Sequence, residues 1–571
     1  MSALLPIHIA AIMEQSVDVD EIWRALRPWG RYQVRQLCFM WAAMIPCSFH
    51  LLSIVFIGYR PDFRCATTSP PDNKTWNASA FYATYDKCSV TLSSNLTNSS
   101  STTSSCPNGY SYNEYNDISF VTEWDLVCDE STKLDISQAL LLLGQGFGGL
   151  LCTGLSDKFG RKRVHIISHI SLLLLCIATA VIPSYTALAV LRFLTGAAIE
   201  GLLLSSVTQY VETLPEEWRF CAEVMGLVWW TTGIVLLTPL AYLMYGFSWR
   251  YLQLLLALLS LYSLVEYWLF DESLRWLMAN GHLEEAEKVV RKAAKMNKKN
   301  FDKVISEAKA KTIELENLSG SKKEIEKVSA DPEVLIETYN PRNTEVKKYG
   351  MFAILKDRVI LINSAIIWLT WLTNILTYYG LNLISTTLYG NRFVIFFFLG
   401  AIEYLSALAE FILLNRIGRR RTLFLLLATS GVSLLVATLL SMFRGDSEAL
   451  GHLSTFLVLV GKFGITGSFS STFLYTSEIY PTNLRNAGYG YASIFARIGG
   501  ILAPFSVSLH SYVAWGPGVV FSVMCFLSAI LILMLPETRG RELPTTIEEL
   551  KTWYKANSGI RRCGTTSSES L

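Results

Sequence analysis

Six ionisable side chains stand inside long apolar runs of this chain: Arg192, Glu200, Glu403, Glu410, Lys462 and Arg497. A charge near the middle of a hydrocarbon layer costs about 2.5–3.5 kcal/mol on insertion scales, so such residues face a cavity or a partner. Arg497, in Ala496-Arg497-Ile498-Gly499-Gly500, is the most informative. A fixed guanidinium there could hold a carboxylate through paired hydrogen bonds, or it could form a structural ion pair with Glu403. Glu403 could hold a cationic head group or neutralise Arg497. Lys462 and Arg192 occupy equivalent places in two similar segments, Lys462-Phe463 and Arg192-Phe193, where packing against a carboxylate is the alternative to a binding role. Tyr378 and Tyr379 offer ring faces that attract an ammonium group, with an interfacial aromatic belt as the competing reading. Trp229 and Trp230 offer the same faces, against lipid or core packing.

The elements that must position these groups are apolar. Half of the 571 residues are hydrophobic and 17% are charged, which suits a membrane chain better than a soluble one. Runs long enough to cross a bilayer are centred near residues 46, 146, 174, 198, 233, 259, 369, 402, 432, 465, 500 and 525, which predicts twelve helices. The net charge of +2 says little, because its distribution matters more. The turns 157–163 and 416–421 and the segment 288–358 are rich in Lys and Arg and fall on one side if the spans alternate. That side is expected to be the cytosol, with both termini on it, since the first residues lack a signal-peptide apolar run.

The loop 60–135 falls on the other side. It carries glycosylation patterns at Asn73, Asn77, Asn95 and Asn98. It also carries Cys65, Cys88, Cys106 and Cys128, an even set that reads as two disulfides with three connectivities open. Wide spacing and the absence of histidine from the loop disfavour a zinc site there. The expected organisation is a cytosolic N-terminus over 1–33, a six-helix bundle over 34–270, a cytosolic linker with amphipathic helices over 271–357, a second six-helix bundle over 358–536 and a cytosolic tail over 537–571. In the linker, Leu283, Ala286, Val290 and Ala293 recur at helical spacing among charges.

The two bundles echo each other. Gly154-Leu-Ser-Asp157-Lys-Phe-Gly160-Arg161 returns as Asn415-Arg-Ile-Gly418-Arg419, 258 residues later. Glu212, Pro215 and Arg219 return as Glu478, Pro481 and Arg485, and Asp271-Glu272-Ser273 returns as Pro536-Glu537-Thr538. Parallel repeats facing a central cavity are a transporter architecture. The acids Asp157, Glu212, Glu272, Glu478 and Glu537 stand close in sequence to Arg161, Arg219, Arg275, Arg485 and Arg539, with Arg419 in the second basic turn. Ion pairs between the halves at the inner mouth would then form a reversible latch, each pair worth about 0–1 kcal/mol when wet. Plain helix-end roles are the alternative. Asn415, where Asp157 stands in the first half, predicts that the N-terminal latch is the stronger.

The first of these motifs resembles the signature of the major facilitator superfamily. Gly30-Arg-Tyr-Gln33, Thr122-Glu-Trp124-Asp125-Leu-Val-Cys128, Trp249-Arg250-Tyr-Leu252-Gln253-Leu254, Glu272-Ser-Leu-Arg275-Trp276-Leu277, Glu478-Ile-Tyr-Pro481-Thr482 with Arg485-Asn486, and Pro536-Glu-Thr538 resemble the organic cation/carnitine/organic anion transporter family, in order along nearly the whole chain. Phe270-Asp271 departs from the Leu-Pro usual before Glu272, and Asn415 from the common Asp. The resemblance implies an all-α membrane protein of two pseudo-symmetric six-helix halves that moves small organic ions by alternating access. It also implies that Glu403, Tyr378 and Tyr379 face the cavity. Cation-selective members carry an acid where this chain has Arg497, while carnitine-type and anion-type members carry Arg. A zwitterion or carnitine-like solute, or an organic cation, is expected, with an organic anion as the alternative and a non-transporting receptor as a distant one.

The partners expected are that solute, the lipid bilayer, and either a coupling ion (sodium or proton) or a counter-substrate. No nucleic acid, cofactor or metal is expected, and a monomer in the plasma membrane should suffice. A primary pump would need a Gly-x-x-x-x-Gly-Lys-[Ser/Thr] loop, and a membrane enzyme a catalytic constellation; the chain has neither.

Overall fold

The computed structural model describes residues 17–66, 81–94, 102–106, 108–114, 118–328, 353–481, 484–539 and 550. Among them ten helices are long and apolar enough to cross a membrane. In the N-terminal half these are α1 (Arg31–Ile57), α2 (Cys128–Phe159), α3 (Arg161–Val181), α4 (Tyr185–Thr213), α5 (Glu216–Leu243) and α6 (Trp249–Leu269). In the C-terminal half they are α7 (Arg358–Thr387), α8 (Arg392–Ile417), α9 (Arg419–Phe443) and α10 (Glu448–Ile479). The eleventh span, α11, bends by 41° between Ala487–Leu502 and Phe505–Tyr512. Pro504, between the two pieces, cannot continue the hydrogen-bond ladder. The apolar helix Gly516–Ile532, 17 residues long, is α12 and completes the twelve-helix set.

Each half has its own apolar core. One is built around Leu141, Leu172, Leu202 and Leu237, the other around Ile367, Leu427, Ile465 and Phe521. A third core lies at the end that carries the basic turns, here called the basic face. It joins the short helices Val19–Ala25 and Leu274–Ala279 to the helices Leu283–Met296 and Phe301–Val328. The amphipathic stripe of the linker is buried as its spacing predicts, with Ala286, Val290 and Ala293 fully enclosed. Its cover is the N-terminal segment, through Ile22, Trp23 and Leu26. Asn297 fixes the junction, accepting from the Tyr32 backbone N–H at 3.0 Å and donating to the Leu26 carbonyl at 2.9 Å. The segment from Val17 to Leu26 is therefore part of the linker's core, and the first span starts at Arg31, before the expected boundary at 34.

The opposite end, the loop face, carries two small antiparallel sheets. Strand β1 (Phe63–Cys65) pairs with β5 (Tyr110–Tyr112), and β3 (Val90–Ser94) lies between β2 (Phe81–Tyr85) and β4 (Thr102–Ser104). Of the three connectivities open in the sequence, the structure has Cys65–Cys106 and Cys88–Cys128. Both bridges anchor the loop to the N-terminal half, beside the end of α1 and the start of α2. Asn73, Asn77, Asn95 and Asn98 lie outside the described residues.

The halves meet on the loop face. Phe56 stacks on Phe393 at 5.5 Å and meets Phe396 edge-on at 5.1 Å. Arg392 pairs with Glu114 at 3.1 Å, and Ser508 donates to Asp135. On the basic face no ion pair or hydrogen bond joins the charge cluster of one half to that of the other among the described residues. The molecule is thus closed at one mouth and unlatched at the other.

Candidate functional site

Halfway through the bundle, side chains from both halves form one polar layer. Arg497 on α11 donates through Nη2 to Glu200 on α4, an ion pair that crosses between the halves. The expected partner, Glu403, is taken. It pairs with Lys462 at 3.0 Å, in a geometry that is not a hydrogen bond, and accepts from Thr231 Oγ1 at 3.2 Å. The Lys462 ammonium also lies 3.3 Å from the centre of the Tyr378 ring. Tyr378 in turn accepts from Trp230 Nε1 at 3.3 Å. Two correctives follow for the sequence reading. Glu403 neutralises Lys462 rather than Arg497. Arg192, the counterpart of Lys462, pairs with no carboxylate among the described residues: it donates to Gln138 Oε1 at 2.6 Å and to the His50 carbonyl at 3.4 Å.

Accessibility divides the layer. Lys462 and Glu403 are sealed, at 0% and 1% side-chain exposure, whereas the Arg497 side chain keeps 32% and its partner Glu200 only 7%. Tyr379 and Trp230 are half-buried, and Tyr378 is buried. The open group is therefore a cation with one carboxylate behind it. The Lys462–Glu403–Tyr378–Trp230 chain acts as a buried brace from α10 through α8 and α7 to α5. Inside a low-dielectric bundle such a chain survives only because every charge has its counterpart.

The charge clusters on the basic face are built inside each half. Gly160 and Gly418 take φ values of 99° and 92°, turning the chain sharply into α3 and α9. A carboxylate then occupies the open N-terminus of each helix. Glu272 accepts from the backbone N–H of Arg161 at 2.8 Å and of Lys162 at 3.0 Å. Glu537 accepts from Arg419 at 2.8 Å and Arg420 at 3.2 Å. Helix N-termini favour anions, because their first N–H groups lack intrahelical partners. A Cβ at either glycine would collide with that carboxylate. Burial pushes the Glu272 carboxyl up, against the N–H groups of Lys162, Ser273 and Arg161, which pull it down.

Beside these caps, Arg161 reaches Asp157 at 3.1 Å and Glu212 at 3.2 Å. Arg419 takes Glu478 by two bonds of 3.1 Å from Nε. Arg219 pairs with Asp20 of the N-terminal segment at 3.0 Å, and Arg275 pairs with the same carboxylate. Arg485 makes no ion pair among the described residues. With the basic mouth unlatched, these arginines staple neighbouring helices of one half, whereas the expected pairs between the halves belong to a state with that mouth closed. Where Asn415 replaces the acid, Arg419 contacts both oxygens of the single acid Glu478, from Nε and from Nη2 at 3.0 Å, whereas Arg161 makes one contact to each of two acids.

Sequence reasoning missed Asp20, Gln138 and the capping role of Glu272 and Glu537. The capping signal was present, as a glycine and a basic pair opening each helix with an acid near the end of the sixth span of each half.

Residues 78–550 match the sugar (and other) transporter family model. The organic cation transporter protein of Drosophila melanogaster is 30% identical over 553 residues, covering 94% of this chain and 95% of its own. The organic cation/carnitine transporter 2 of Mus musculus is 30% identical over 93% of this chain and 94% of its own. This chain belongs to the organic cation/carnitine/organic anion transporter family, in the major facilitator superfamily. The organic anion transporter 3 of Mus musculus, 30% identical over 79% of this chain and 78% of its own, falls in the same set. An inward-open structure of the xylose transporter XylE from E. coli superposes with a TM-score of 0.56 over 91% of this chain and 98% of its own, at 14% identity, which establishes the fold alone. The protein is a multi-pass membrane transporter of small organic solutes and not an enzyme.

Proposed function

We propose that the transported solute is a small zwitterion of the carnitine type, whose carboxylate takes Arg497. The single observation that carries this reading is the half-open guanidinium of Arg497 backed by the nearly buried Glu200. A solute carboxylate that displaces Glu200 leaves a buried acid without a counter-charge, which is costly. A zwitterion removes that cost, because its ammonium can return to Glu200 or to the ring faces of Tyr379 and Trp230. A plain organic anion is the second reading, favoured by the one-point contact of Glu200 with Nη2, which leaves other guanidinium donors to bind a carboxylate. Lys462, Glu403 and Tyr378 support the site as a brace and do not touch the solute.

In this reading the basic face is cytosolic and the loop face extracellular, with both termini inside and the protein in the plasma membrane. The clusters around Asp157, Arg161, Glu212 and around Arg419, Glu478 stiffen each half so that it rocks as a body, with Arg219 tying in the N-terminal segment and Arg485, which makes no ion pair among the described residues, placed to form one when the inner mouth closes. One chain is the working unit, and a sodium ion, a proton or a counter-substrate drives or balances the flux. Uptake of labelled carnitine into cells, competed by a plain organic cation and a plain organic anion, tests the solute. Arg497→Ala abolishes uptake with surface expression intact; normal uptake in that variant rejects the carboxylate clamp.

A further inference from the structure

The transport site uses neither of two histidines one helical turn apart on α3. His165 and His169 converge there on Glu266 of α6, and all three are fully enclosed inside the N-terminal half. His169 Nδ1 lies 2.8 Å from Glu266 Oε2, and His165 Nε2 lies 3.4 Å from the same oxygen. The Ser206 hydroxyl donates its one proton to the Leu202 carbonyl at 2.7 Å, so it accepts from His165 Nδ1–H at 3.1 Å. A neutral His165 therefore turns a bare Nε2 towards a carboxylate oxygen, two acceptors face to face. Something positive belongs between them. Glu266 Oε1, His169 Nε2 and the Tyr262 hydroxyl are also buried without a hydrogen-bond partner among the described residues.

The C-terminal half shows that the fold does not need this cluster. The 258-residue offset between the two basic turns carries His165 and His169 onto Leu423 and Leu427, and the 265-residue offset between the two capping acids carries Glu266 onto Leu531. Those leucines fill the same corner as ordinary core. Three ionisable groups in place of three leucines cost stability unless they are paired or hydrogen-bonded, and a neutral His165 Nε2 opposed to Glu266 is neither.

We propose that His165, His169 and Glu266 form a proton-binding site that takes up one proton from the basic face, where α3 begins four residues before His165. The loaded proton sits on His165 Nε2, so that both rings donate to Glu266 Oε2 and the cluster is neutral. The unloaded site carries one negative charge with its acceptors opposed. A transition metal is the other occupant of a two-histidine, one-carboxylate set. The 2.8 Å His169–Glu266 contact is a hydrogen bond already made, so a proton fits without rearrangement and a metal does not. The neighbouring titratable groups are Cys47 and His50 on α1, Arg192 on α4 and Tyr262 on the α6 side, with the Phe270 ring stacked on His165 at 4.5 Å. Arg192 is held by Gln138 and the His50 carbonyl and stays charged in both states. Loading adds a His165–Glu266 bond between α3 and α6, while the His165–Ser206 bond to the helix that carries Glu200 is present in both states.

The test is the thermal melting of the purified full-length protein in lipid discs, followed from about pH 5 to pH 8, the range in which histidine changes charge. It needs no transported solute, so its outcome is separable from that of the solute reading. The loaded proton stabilises the fold at low pH and is lost as pH rises, so the wild type should lose several degrees across that window. His165→Leu/His169→Leu/Glu266→Leu, which copies the C-terminal half, and the milder Glu266→Gln should both flatten the profile. A variant profile that runs parallel to the wild type overturns the proposal. If neither variant folds, a flat wild-type profile overturns it and a falling one supports it. Destabilisation of the wild type by EDTA at constant pH, absent from Glu266→Gln, makes the occupant a metal and overturns it as well.

Discussion

The two halves of this transporter solve the same turn identically and fill the space behind it differently. At the basic face, Gly160 with Glu272 and Gly418 with Glu537 make the same cap on the same helix. One turn deeper the first half holds His165, His169 and Glu266, and the second holds leucines. At mid-depth the relation reverses. Arg192 is held by an amide and a carbonyl, while its counterpart Lys462 is locked to Glu403 under an aromatic ring. What the halves share is what a repeated fold requires. What they do not share marks where chemistry was added, and the additions fall at different depths in each half.

Mutations can break this contrast in order of size. Lys462→Ala leaves Glu403 buried and unpaired, which costs about 3–5 kcal/mol. It should abolish folded protein by size-exclusion profile, and adding Glu403→Leu to a Lys462→Met chain should restore the fold. Arg192→Met should be far milder, because only an amide and a carbonyl lose their donor and no charge is left unpaired; an equal loss would deny that the two positions differ. Gly160→Ala and Gly418→Ala should each cost about 1–3 kcal/mol, the penalty of a backbone region reserved for glycine, with similar drops in melting temperature. A large gap between those two variants would show that the caps are not equivalent. The smallest effect belongs to Asp157→Asn, which copies Asn415 onto the first half. An exposed pair contributes about 0–1 kcal/mol, so the turnover rate should shift while the competition profile of solutes stays fixed.

The spans were legible because apolar length is a one-dimensional property, and the repeat because glycine, acid and arginine recur at fixed offsets. The amphipathic stripe at Leu283 to Ala293 was legible for the same reason. Partners were not. Arg497 and Glu200 are 297 residues apart, and which acid meets the guanidinium is set by how α4 and α11 cross. Glu403, in the sequence an equally good partner, is claimed by Lys462 because α8 and α10 pack within one half. The cap acids read as latch acids, since spacing alone cannot distinguish a carboxylate aimed at a backbone N–H from one aimed at an arginine. His165 and His169 were passed over inside an apolar run, although their four-residue spacing puts both on one face of a helix.

The loop strapped down by Cys65–Cys106 and Cys88–Cys128 is covalently a piece of the first half, yet its Glu114 grips Arg392 of the second. Whenever the loop face opens, that grip must be released, and the whole strapped loop is carried along as cargo. Added bulk there, such as a sugar chain or a bound antibody fragment, would load the moving arm itself. It would act as a brake on the cycle without touching the solute.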